Sequence, residues 1–141
     1  MVKILHAADF HLDSPFAGLT SEQARARRRE GRENIARLAN YANAGYVDLV
    51  LLAGDLFDSG EIYRQTAETL AKALGTVEGR VFIAPGNHDY WDEKGPYAQV
   101  NWPENVHIFK SDALEAVELP ELNCVVHGAA FTAPECTDNL F

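Results

Sequence analysis

From Val47 the chain reads Val-Asp-Leu-Val-Leu-Leu-Ala and then breaks off at Gly54, the carboxylate of Asp55, and Leu56-Phe57-Asp58. A strand covered on both faces carries a near-continuous Leu/Val run of this kind, whereas a half-solvated strand alternates. In open α/β sheets, ligands collect beyond the carboxyl ends of such strands, so Asp55 is expected where chemistry is done. Two other stretches repeat the arrangement. Val2 to Ala8 ends in Asp9-Phe10-His11, and Arg80 to Ala84 ends in Pro85-Gly86-Asn87-His88-Asp89. Each of the three strand ends therefore carries side chains able to ligate a metal.

The intervening segments read as helices. Thr20 and Gln23 have capping-box spacing and start a helix expected over Ser21 to Ala44, which Gly45 stops. Ile35, Leu38, Ala39 and Ala42 recur at i, i+3, i+4, i+7 and form a face able to cover a sheet. Arg25, Arg28, Arg29 and Arg32 repeat a similar spacing in the first half, and Gly31 between the halves is a candidate bend. That basic face reads either as a solvated surface, with pairs such as Glu22 to Arg25, or as a contact to a phosphate backbone. Ser59 and Gly60 open a second helix expected over Glu61 to Leu74, with Ile62, Thr66, Leu70, Ala73 and Leu74 on one side. Parallel strands joined by helices make right-handed crossovers, so a parallel sheet is expected with its three ligand-bearing ends on one edge. Val106 to Phe109, Leu114 to Leu119 and Leu122 to Phe131 read as further strands. The fold class is α/β, a layered β-sheet core flanked by helices, in one domain over residues 1–141.

Within the first loop, alternation on an extended backbone would turn Asp9 and His11 to the same side. Pro15 forbids helical continuation, and Asp13 reads as a turn former rather than a ligand. A net charge of −9 argues against coating nucleic acid through overall charge, so any such contact must be local. Cys124 and Cys136 lack metal or redox spacing and imply no disulfide framework. No apolar run approaches the roughly 20 residues that span a bilayer, and the first residues belong to a strand pattern, so a cytoplasmic location is expected.

Asp-x-His, Gly-Asp and Gly-Asn-His-Asp are each weak signals alone. Together, in order, at three strand ends, they supply a hard-to-borderline donor set suited to manganese, iron or zinc. This combination resembles the calcineurin-like metallophosphoesterase family, matched here by Asp9 and His11, Gly54 and Asp55, and Gly86 through Asp89. The stretches His6 to Phe16 and Ala53 to Asp58 look most like the DNA-repair exonuclease branch, the SbcD-type nuclease subunits. The resemblance implies two divalent metal ions, most of all manganese, with iron, zinc or magnesium as alternatives. It makes Asp9 and His11 ligands of one ion, Asp55 the carboxylate shared by both, and Asn87 a ligand of the other. A hydroxide shared by two such ions serves as the nucleophile for in-line attack on phosphorus. His88 is implied to face the phosphate as donor or acid. Asp89 either orients that imidazole or caps the local turn, and Asp58 either sits beside the metals or caps the following helix. The implied partners are DNA and an SbcC-like ATPase subunit, with no membrane. A small phosphodiester or phosphomonoester is the alternative substrate, and a catalytically incomplete scaffold is the alternative role.

One departure matters. The family supplies a further lone histidine and then Gly-His-x-His from later strands, and no Gly-His-x-His occurs in these 141 residues. His6 and His107 lie within strands, and Val125 to Phe131 resembles the family strand that precedes the lone ligand, so His127 reads as structural. The expectation is an amino-terminal part of a longer nuclease, inactive alone, with an exposed sheet edge that invites self-association.

Overall fold

The structure is a computed structural model that describes residues 1–58 and 64–136. Four strands, β1 (Ile4–Ala7), β2 (Leu49–Ala53), β3 (Arg80–Ala84) and β4 (Val106–Ile108), form one sheet in the order β1-β2-β3-β4, every pair parallel. Helix α1 (Ser21–Ala44) joins β1 to β2, and α2 (Arg64–Leu74) precedes β3. Because successive right-handed crossovers step in one direction, both helices fall on the same face of the sheet. Ile35, Ala39 and Ala42 of α1 and Ala67, Leu70 and Leu74 of α2 accordingly pack with Val50, Leu52, Val81 and Ile83 in one core. Each large side chain buried there contributes about 1.5–3 kcal/mol.

The predicted parallel sheet is present, and β4 extends it. The capping box at Thr20 is formed: Gln23 N donates to Thr20 Oγ1 (3.3 Å) and Thr20 N donates to Gln23 Oε1 (3.0 Å). α1 runs without interruption through Gly31, so the candidate bend does not divide it. Of the second expected helix, Arg64–Leu74 is observed, and residues 59–63, with Ile62 and the Ser59-Gly60 start, lie outside the described residues.

The other face of the sheet is covered by an antiparallel hairpin, β5 (Glu115–Leu119) and β6 (Cys124–Gly128), with Leu119 opposite Cys124. A short 3-10 turn (Pro120–Leu122) and left-handed Asn123 (φ 49°) connect them, so the strand expected from Leu122 begins only at Cys124. Val117, Leu119, Cys124 and Val126 face inward to Leu49, Phe82 and Phe109, while Val125 and His127 are exposed. Cys124 is half-buried in this hairpin, Cys136 is exposed, and they form no disulfide. Among the described residues no helix is long and apolar enough to cross a membrane. α3 (Pro96–Gln99) is a single turn that carries the buried Tyr97.

Candidate metal centre

Hydrogen bonds continue past the ends of β1, β2 and β3 and lace their loops together. Asp9 N donates to Gly54 O (3.1 Å), His11 N to Asp55 O (2.9 Å), Leu12 N to Leu56 O (2.9 Å), and Gly54 N to Ala84 O (2.8 Å). The expected extended alternation at Asp9 and His11 is corrected here. Both are left-handed (φ 56° and 44°), as is Asp13 (φ 65°), so the two side chains converge through a coiled backbone rather than a strand. Non-glycine residues held there cost about 1–3 kcal/mol each, which the flanking bonds must offset. Asp55 is also left-handed (φ 52°), following Gly54 (φ 80°).

The Gly86 turn is pressed against Asp55. A Cβ at Gly86 would lie 2.3 Å from Asp55 Oδ1 and 2.6 Å from Asp55 N, so only glycine fits. His88 N donates to Asp55 Oδ1 (3.0 Å), which fixes that carboxylate against the β3 loop. Asn87 is exposed on the same turn.

Among the described residues two groups of donor atoms result, each with its atoms within 4.8 Å of one another: Asp9, His11 and Asp55, and His11, Asp58 and His88. His11 belongs to both. Its Nε2 lies 4.0 Å from Asp9 Oδ1 and its Nδ1 3.8 Å from Asp58 Oδ1. His88 Nδ1 is 3.2 Å from Asp58 Oδ1, and the His11 and His88 rings meet edge to face, centroids 5.0 Å apart. Asp58, left undecided by the sequence, thus sits beside the site, while the helix-capping alternative concerns residues 59–63. Carboxylates and imidazoles in this proximity match the chemistry of a divalent cation, whose charge compensates the clustered acids.

Of the two readings open for Asp89, the bonds match the cap of the local turn, where it accepts from Gly86 N, and the His88 ring meets Asp58. Asp89 is 2% exposed, and its carboxylate accepts from Gly86 N (2.7 Å), Leu56 N (2.8 Å), Asp55 N (3.2 Å) and Phe57 N (3.2 Å). Tyr97 OH also donates to it. Burial, followed by the charge of Asp89 and that hydrogen bond, pushes the Tyr97 hydroxyl well above its ordinary value. Asp89 is therefore the buried brace between the β2 and β3 loops. Nothing near Asp89 in sequence points to Tyr97, whose approach depends on the Gly95-Pro96 turn.

The arginine row is split. Arg25 and Arg29 are exposed, Arg29 lying 3.7 Å from Glu33. Arg28 and Arg32 turn instead to the loop after His11, and Asp13 is an ion-pair partner of Arg32 at 3.3 Å as well as a turn residue. The expectation of one basic face is corrected accordingly. His6 and His127 are both exposed and belong to neither donor group, and His107 is 3.0 Å from Glu115.

The family model described as calcineurin-like phosphoesterase matches residues 2–139. The chain belongs to that family. Its members use divalent metals to hydrolyse phosphoesters, in keeping with the donor groups above. The chain is 38% identical over 113 residues to the uncharacterized metallophosphoesterase YhaO of Bacillus subtilis (strain 168), covering 76% of this chain and 27% of that protein. It is 33% identical over 93 residues to the SbcD subunit of nuclease SbcCD from Rhodobacter capsulatus, covering 62% and 22% respectively. The SbcD subunit of the Bacillus subtilis nuclease is 22% identical over 122 residues, covering 84% and 30%. The chain thus spans about a quarter of the length of these relatives.

Proposed function

We propose that the chain forms the amino-terminal part of the metal centre in a cytoplasmic phosphodiester hydrolase that acts on DNA. The observation that carries this reading is the convergence of Asp9, His11, Asp55, Asp58 and His88 from the ends of two strands and the loop of a third. Asp9, His11, Asp55 and Asn87 would hold two divalent ions, manganese first among them, with Asp55 shared. Such ions supply Lewis-acid charge and a nucleophile usable near neutral pH. His88, held by its backbone to Asp55 and by its ring to Asp58, would donate a proton or hydrogen bond to a phosphoryl oxygen; those two contacts support this reading. Asp89, which accepts from amides of both loops, would keep them in register.

DNA is favoured over a small diester by the two relatives described as nuclease subunits and by the exposed Arg25 and Arg29 on α1, which follows the Asp9–His11 loop. An SbcC-like ATPase is the corresponding partner. Hydrolysis of a chromogenic phosphodiester should be near background for these residues alone and appear in a longer form carrying Gly-His-x-His. In that form, His88→Ala should lower turnover by roughly 10²-fold or more while leaving metal content intact. Changing Arg25 and Arg29 to Gln should reduce the slope of log K against log salt for DNA by roughly 0.7–0.9 per lost contact. An unchanged slope would favour the small-diester substrate.

A further inference from the structure

We infer that Arg32, assisted by Arg28, is a positioning residue for the metal-binding loop, acting through buried Asp13 on the backbone at His11. This rests on the metal-centre reading above and adds a part of the molecule that contributes no donor atom.

The loop has an unusual need for support. Asp9, His11 and Asp13, three alternate residues, are left-handed, and Phe16 follows at φ 50°. Aspartate and histidine tolerate that region better than most residues, but three such positions alternate here with no glycine among them. Such a conformation persists only where the surroundings over-determine it.

One side of that support is the β2 loop, through the bonds from Asp9 N, His11 N and Leu12 N. The other side is α1. The Asp13 side chain is 1% exposed and meets Arg32 Nη2 at 3.3 Å. One turn earlier, Arg28 Nη1 donates to Ser14 O (3.4 Å) and Pro15 O (3.5 Å). Ser14 N in turn donates to His11 O (3.2 Å), which connects the arginine contacts to the ligand itself. Leu12, between His11 and Asp13, is 2% exposed, and its Cδ2 rests over Gly31, 3.6 Å from where a Cβ would stand. The spacing of Arg28 and Arg32 places both guanidinium groups on one helix face, one turn apart. The guanidinium of Arg32 is one of the contacts that hold the buried Asp13 carboxylate, so its loss should loosen Asp13 and, through Leu12 and the Ser14 N to His11 O bond, the backbone at His11.

The test compares Arg32→Met, which keeps most of the stem, with Arg32→Lys and with Arg37→Met, a control for an exposed pair on the same helix. Two quantities are read on the whole chain: amide hydrogen exchange residue by residue, and the affinity for Mn²⁺ alone. In Arg32→Met, the His11 and Leu12 amides should lose protection by about tenfold or more while Gly54 N, bonded to Ala84 O, keeps its own. Mn²⁺ affinity should fall by about tenfold or more, as it does when the support of a ligand is removed. Arg32→Lys should recover part of both losses, and Arg37→Met should show neither. Equal loss of protection at His11 and Gly54, or none at His11, would overturn the proposal. If Arg32→Met does not fold, Arg28→Gln decides, with selective loss at His11 expected and uniform or absent loss overturning it. Asp55→Asn keeps the two readings apart: unaltered Mn²⁺ binding there would overturn the metal centre, whereas the exchange pattern judges the arginine clamp by itself.

Discussion

The ends of β1, β2 and β3 and the β5–β6 hairpin are both made of short extended pieces, yet they are held in opposite ways. The strand ends are tied by bonds between residues far apart in sequence, by left-handed non-glycine residues and by one buried carboxylate serving four amides of two loops. The hairpin relies on pairing between neighbours in sequence and on a single apolar face, its outer face carrying Val125 at 48% exposure. Precision has been built where ligands must meet, and plain period-2 packing suffices where one layer only covers another. Substitutions of similar size should therefore have very different consequences in the two places.

The largest effect is expected from Asp89→Ala. It leaves four backbone amides and the Tyr97 hydroxyl without their acceptor in a buried setting, so the loss should reach about 4 kcal/mol or more, measurable by urea denaturation. A loss below about 1 kcal/mol would mean that the brace is not what joins the loops. Gly86→Ala comes next. A methyl group 2.3 Å from Asp55 Oδ1 must push the two loops apart, at about 1–3 kcal/mol, and Mn²⁺ affinity should fall with it.

Tyr97→Phe is smaller and has a pH signature. It should cost about 1–2 kcal/mol at neutral pH through the lost hydrogen bond to Asp89. The folded-state pKa of Tyr97 lies well above its unfolded value, so the tyrosine keeps its proton in the fold after the unfolded chain has released its own. Its contribution is complete below about pH 10 and is lost as pH rises from there toward the folded value. Stability of the natural chain should thus fall above about pH 10 more steeply than that of Tyr97→Phe, as denaturation midpoints across alkaline pH will show. The smallest effect belongs to the hairpin: Val125→Thr should stay within about 0.5 kcal/mol, and a larger loss would mean that this face is covered.

The architecture was legible because it follows from local pattern. Leu49 to Leu52 is apolar without alternation and is buried or half-buried at every position, and Thr20 with Gln23 announced a helix start that the backbone confirms. The convergence of Asp9, His11 and Asp55 was legible from their positions at strand ends, although the route was not. Left-handed backbone at Asp9 and His11 is held by bonds to Gly54 and Asp55, more than forty residues away, and the local tolerance of Asp and His for that region does not by itself encode it. The alternatives left open for Asp89 and Asp58 are separated by the fold for a related reason. Adjacency to His88 made Asp89 one candidate partner of the imidazole, but the turn directs Asp89 into the interior beneath the β2 loop and leaves the imidazole to Asp58, thirty positions earlier. The four arginines shared one helical spacing, and only the fold of the loop after His11 separates Arg28 and Arg32 from Arg25 and Arg29.

The central claim is that the laced strand ends hold the metal, whereas the hairpin does not. Calorimetric titration with Mn²⁺ tests it on the natural chain, Asp55→Asn and His127→Ala. The natural chain and His127→Ala should bind alike, at micromolar affinity or weaker, if Asp9, His11, Asp55 and Asn87 are the incomplete set of ligands proposed above. Asp55→Asn should lose about tenfold or more, since the carboxylate expected to be shared is gone. An unaltered Asp55→Asn isotherm, or a loss confined to His127→Ala, would contradict the account.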